Sequence, residues 1–162
     1  MPDSRTLESW EMTITAGQNY TARFEAPGGK PILHAYPDPL TGAAPWTIGL
    51  GHTGPDVKQG TVWTEDQCLH AFQSDYGVAS GAARLILGSA WADLNEPRCA
   101  VLADMAFNIG RPRLLGFAKM LAAIRRGDYA EAADQLLESA YARQVGRRAQ
   151  TNALVLKTGE WP

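Results

Sequence analysis

Residues 24–54 read FEAPGGKPILHAYPDPLTGAAPWTIGLGHTG, and the rest of the 162-residue chain takes its meaning from this stretch. An apolar-periodic segment ends at Phe24-Glu25. Pro27, Gly28, Gly29 and Pro31 then make helix continuation impossible. Two β-type runs follow, residues 32–36 and 46–51, the second built on Trp46, Thr47 and Ile48. Between them lies PDPLTGAAP, dense in turn formers, so the stretch predicts a small antiparallel hairpin sheet with a long connection.

Upstream, Leu7, Trp10, Ile14 and Phe24 mark a stripe that predicts a helix over residues 6–23 and brings Glu25 to its C-terminal end. Downstream, residues 52–61 read as loop. Thr64-Glu65-Asp66-Gln67 is a capping-box pattern with acids in the first turn. The helix it opens carries Cys68, Leu69, Phe72, Tyr76, Ala79, Ala83 and Ile86 at helical spacing and reaches Leu87.

From Asn95 onward every segment reads as helix. One starts at Asn95 or Glu96, with Pro97 near its first position, and runs to Gly110. Gly110-Arg-Pro-Arg113 breaks it. Residues 114–126 follow, stopped by Gly127. Asp128 caps residues 129–139, and a final helix covers 146–158. The fold class is α+β, mostly α.

Composition excludes several functions. Apolar residues make up 45% and charged residues 20%, as in an ordinary globular protein. A net charge of -2 gives no overall drive toward nucleic acid. The charge is uneven: Met1 to Pro97 holds 5 basic and 11 acidic residues, and Arg98 onward 10 basic and 6 acidic. No apolar run approaches the ~18 residues of a membrane span, and the N-terminus shows no signal-peptide pattern. Cys68 and Cys99 read as buried thiols rather than a disulfide. His34, His52 and His70 lack metal-ligand spacing, so no metal or other cofactor is expected.

A glutamate at a helix end beside an aromatic ring is placed to keep its proton, whereas an aspartate in a polar, proline-bracketed loop stays ionised. That pairing suits cleavage of a glycosidic bond, with Glu25 as acid, Asp38 as second carboxylate and the Thr47 hydroxyl orienting water.

The order Glu25, then Ala35-Tyr36-Pro37-Asp38, then Thr47-Ile48-Gly49-Leu50-Gly51-His52 resembles the phage-type lysozymes, the family 24 glycoside hydrolases. Further blocks follow in family order: Asp104 to Gly110, Gly116-Phe117, Gly127 to Ala133, Gly146-Arg147-Arg148 and Thr158 to Trp161.

The resemblance implies a single lysozyme-like domain over residues 1–162. Its first lobe covers about 20–63 with the N-terminal helix, an interlobe helix 64–87, and a helical lobe 95–162. It also implies hydrolysis, with inversion, of the β-1,4 bond between N-acetylmuramic acid and N-acetylglucosamine in peptidoglycan. In that scheme Glu25 is the general acid, Asp38 the base-side carboxylate and Thr47 the water-positioning residue. His52 pairs with Asp75, and Arg148 stands beside the acid. Phe107, Thr53 and Gln135 line the substrate site. His52 as a satisfied structural histidine, Arg148 as a solvated helix arginine and Phe107 as core are the plainer alternatives.

The intervals from Glu25 to Asp38 and from Asp38 to Thr47, 13 and 9 positions, exceed those of compact family members. The partner expected is peptidoglycan, with no nucleic acid and no membrane span, for a monomer. Such a protein is made in the host cytoplasm and meets the wall in the periplasm after release or delivery. A delivered antibacterial effector, a virion-carried lysin and a non-catalytic wall-binding module are the competing readings.

Overall fold

Thr15 sets where the first described helix begins. In this computed structural model, which describes residues 14–26 and 28–162, Thr15 has extended backbone angles and its Oγ1 accepts the Gln18 N–H at 3.1 Å. Gln18 Oε1 accepts the Thr15 N–H in return at 3.0 Å. This capping box starts helix α1, Ala16–Glu25, so no continuous helix runs through Thr15 from residue 6. The sequence reading of Leu7 and Trp10 lies outside the described residues.

The chain divides into two units, the first ending at Gly77 and the second running from Val78 to Pro162. In the first, strands β1 (Ile32–Tyr36), β2 (Thr47–Gly49) and β3 (His52–Thr53) form an antiparallel sheet in that order. Ile32 pairs with Gly49 and Tyr36 with Thr47, so four steps of β1 face two of β2 and the ladder is bulged. Residues 61–63 return along the other side of β1, where Trp63 N–H donates to Leu33 O and Ala35 N–H to Thr61 O, both at 2.9 Å.

Two strand expectations are corrected. Trp46 lies outside β2, and His52-Thr53, read as loop, forms a strand because Ile48 and Thr47 offer it a paired edge. Gly49 sits at φ 69°, and a Cβ there would come within 3.3 Å of Cys68, so this close approach requires glycine.

Helix α2, Glu65–Leu87, opens on the box read from the sequence: Thr64 N–H donates to Gln67 Oε1 at 2.8 Å and Gln67 N–H to Thr64 Oγ1 at 3.2 Å. A short 3-10 helix, Gly88–Asp93, follows it.

In the second unit, Asn95 caps α3, Glu96–Leu115. The break expected at residues 110–113 is instead a kink at Gly110 (φ 79°, ψ 164°); helix resumes through Pro112 and stops at Gly116-Phe117. Pro112 falls at the start of the resumed turn, where its missing N–H costs nothing. Then come α4 (Ala118–Arg125), α5 (Tyr129–Glu138, capped by Asp128), α6 (Ala140–Val145) and α7 (Arg147–Thr158). Helix α6 is absent from the sequence reading because six residues carry too little periodicity; Ser139 caps it, accepting the Ala142 N–H at 3.1 Å.

Helix α5 packs on α4 and α7, and α3 also meets α7. Leu102, Met105, Leu136 and Leu156 are fully buried in this unit. Each such side chain contributes about 2 kcal/mol of transfer free energy. The class is the mostly helical α+β one.

Candidate active site

Glu25 is the last residue of α1 and half-buried; it ends the helix because Ala26 closes the last turn, donating to Ala22 O. Thr47 opens β2 directly across from Tyr36 at the end of β1. Burial pushes the Tyr36 phenol above its usual 10.0, the negative charge of Glu25 pushes it the same way, and a hydrogen bond with Thr47 partly offsets both. One phenol therefore senses the helix-end carboxylate and the strand-end hydroxyl together. Tyr36 was quoted in the sequence motif without a role, and its cross-strand pairing is what the sequence leaves unread.

Asp38 is the second residue of the β1–β2 connection. Its Oδ1 accepts the backbone N–H groups of Leu40 (2.8 Å) and Thr41 (3.1 Å). Its main chain pairs with Ala43 O and Gly42 N–H, so a tight turn pins the carboxylate. Oδ2 takes part in none of these bonds.

His52 on β3 has a carboxylate at each ring nitrogen. Nδ1 lies 2.7 Å from Asp75 Oδ2 on α2, and Nε2 lies 3.2 and 3.3 Å from the two oxygens of Asp56. Trp63 covers the ring, with centroids 5.2 Å apart. Burial alone would lower the basicity of His52, but the hydrogen bonds and charges of Asp75 and Asp56 outweigh it and raise the pKa above 6.5. The His52 hydrogen bond, set against a small opposing burial effect, holds Asp56 below 3.8. Asp56 had no sequence signal: four residues from His52 means proximity on a helix, but this is a loop. Thr53, next to His52, is exposed and pairs with Thr47.

The remaining candidates belong to the second unit. Arg148 on α7 is not a solvated arginine: only 11% of its side chain is exposed. Its Nε and Nη2 donate to the fully buried Asp104 carboxylate at 3.1 and 2.8 Å, and Asn152 Nδ2 adds a third bond at 2.9 Å. The signal for Asp104 was available, a lone carboxylate within the apolar run from Ala100 to Ala106.

Phe107 is half-buried on α3. Gln135 on α5 donates to Glu131 at 2.8 Å and lines a cavity of 560 Å³ with Arg113, Phe117, Lys119, Glu138 and Tyr141 among the other walls. Phe117 meets Tyr141 edge-on there, centroids 5.9 Å apart. Among the described residues no three His, Cys, Asp or Glu side chains gather as a metal site, and no helix is long and apolar enough to cross a membrane.

The phage lysozyme family model matches residues 31–157. That span includes Asp38, Thr47, His52 and Arg148 and begins after Glu25. The chain is similar to the SAR-endolysin of Enterobacteria phage P21, 30% identical over 97 residues, which is 60% of this chain and 56% of the relative. It is equally similar, with the same identity and coverage, to the SAR-endolysin of Enterobacteria phage PA-2. The chain thus spans just over half the length of these curated relatives. With the family model running across most of both units, the chain belongs to the phage lysozyme family.

Proposed function

We propose that this protein is a peptidoglycan hydrolase that cleaves the β-1,4 bond between N-acetylmuramic acid and N-acetylglucosamine. Glu25 protonates the leaving oxygen, Asp38 activates the attacking water and Thr47 orients that water, with inversion at the sugar carbon. The observation that carries this reading is the grouping of Glu25 and Thr47 around the Tyr36 phenol, with Asp38 pinned two residues beyond it. An acid in an enclosed position and a carboxylate in a hydrogen-bonded polar turn is the division of labour that two-carboxylate chemistry needs.

Phe107, Gln135 and Thr53 are read as substrate contacts. Family membership and relatives named endolysins favour phage-driven lysis over a delivered effector or virion lysin. The presence of both carboxylates and the hydroxyl favours an enzyme over a wall-binding module.

Product analysis on purified peptidoglycan tests the reaction. Hydrolysis creates new reducing ends at muramic acid. Anhydro ends would identify a transglycosylase, and no new ends a binding module.

A further inference from the structure

Two carboxylates can both be hydrogen-bonded to one imidazole only if both ring nitrogens carry protons. Asp75 meets Nδ1 at 2.7 Å and Asp56 meets Nε2 at 3.2 Å, so the arrangement around His52 is that of an imidazolium. We propose that Asp56 is a positioning residue that latches the 54–61 loop to β3 through doubly protonated His52, and that the latch opens when His52 loses its second proton.

The sequence of events follows from the donors. The neutral ring keeps its shorter bond, Nδ1–H to Asp75, and turns the lone pair of Nε2 toward the Asp56 carboxylate. Two acceptors then face each other, and Asp56, which is 58% exposed, is free to swing into water. Asp75 from α2 and Asp56 from the loop are the charged groups that face the ring; Trp63 presents a neutral face.

The loop is built for this contact. A Cβ on Gly54 would stand 2.7 Å from Asp56 Oδ1, so glycine gives Asp56 room to approach the ring. Val57 N–H closes the same turn on Gly54 O at 3.0 Å, and Val57 is buried. His52 and Thr53 pair with Ile48 and Thr47, so the latch bears on the strand that carries Thr47. Its link to catalysis rests on the role proposed above for Thr47; the latch itself does not.

Two substitutions bracket the latch. Asp56→Asn supplies an amide that accepts from the imidazolium and donates to the neutral ring, so it stays closed at every pH. Asp56→Ala has neither capacity and stays open. NMR of the 162-residue chain reads the His52 titration from the imidazole nitrogens and loop closure from amide exchange at Val57.

The His52 midpoint is expected to fall by about one pH unit in both variants, as befits loss of one neighbouring charge. In the wild type, protection at Val57 drops across the His52 titration. Asp56→Asn stays protected on both sides of it, and Asp56→Ala is unprotected on both. An unchanged midpoint in the variants, or pH-independent protection in the wild type, overturns the latch. In hydrolysis assays the wild type shows a fall in kcat at the His52 midpoint, separate from the alkaline limb that deprotonation of Glu25 gives every variant, and Asp56→Asn lacks that fall; the same fall at the His52 midpoint in Asp56→Asn overturns the positioning role. A wild type that cleaves no peptidoglycan at any pH defeats the hydrolase reading alone, because titration and exchange still decide the latch.

Discussion

Tyr36 and Thr47 are direct cross-strand partners at the end of the β1–β2 ladder where the 37–46 connection leaves and returns, and Thr47 partly offsets the rise that burial and Glu25 impose on the Tyr36 phenol. Such pairs place side chains on one face of the sheet within about 5.5 Å at Cβ. The phenol therefore stands beside the hydroxyl proposed to orient water. Thr47→Ala should lower kcat on peptidoglycan by roughly 10²–10³-fold with little change in KM, since the lost contact acts in the transition state. Tyr36→Phe should cost about three- to tenfold, the value of one neutral hydrogen bond. Steady-state kinetics on soluble muropeptide chains checks both; a Tyr36→Phe defect confined to KM would contradict the positioning role.

The ion pair of Asp104 and Arg148 stabilises the helical unit only while both partners are present. A carboxylate with no exposure has no water to fall back on. Arg148→Ala leaves it with Asn152 among its former donors and should destabilise by about 3–5 kcal/mol. Asp104→Leu with Arg148→Met replaces the pair by apolar groups of similar volume and should recover most of that loss. Denaturant melts of the two proteins check it, the double substitution being the more stable.

Stability should depend on pH through His52 and Asp56, with opposite signs at the two ends. The His52 pKa is raised above 6.5, so its contribution is complete below 6.5 and is lost as pH rises through the raised value. Asp56 is lowered below 3.8, so its contribution is complete above 3.8 and is lost as pH falls through the lowered value. Between these limits His52→Gln should cost about 1–2 kcal/mol, a charged hydrogen bond discounted for partial exposure. Above the His52 titration the cost should shrink, as measured by urea unfolding at pH 5.5 and pH 9.

Cys68 should be inert in the folded protein. Burial, with Glu65 pushing the same way, raises its thiol to about 11, so almost no thiolate exists near neutrality. Thiol labelling at pH 7.5 should be far slower at Cys68 in the native protein than in urea. Equal rates in the two conditions would contradict its burial.

Local signals were legible and distant ones were not. The capping box at Thr64 and Gln67, the cap at Asp128 and the strand 32–36 are written in residues close in sequence, so the sequence reading places them within a residue. Strand β3 escaped because two residues have no alternation to detect, and their strand character comes from pairing with β2. The break near Gly110 moved because one left-handed glycine bends a helix without ending it when packing carries the next turn. In the candidate site, motif order singles out Glu25, Asp38 and Thr47. The partners of Thr47, His52 and Arg148, which are Tyr36, Asp56 and Asp104, act across a ladder, a loop and two helices, and no sequence spacing encodes those contacts.

Glu25 carries the central claim, and its removal is the most direct test. Glu25→Gln keeps the shape of the side chain and removes the proton donor. The unsubstituted protein should release reducing ends from purified peptidoglycan, and the Glu25→Gln protein should fall by roughly 10²–10⁴-fold, the usual worth of a general acid, while still sedimenting with the wall. Hydrolysis by Glu25→Gln at the wild-type rate would contradict the assignment of Glu25 as the acid.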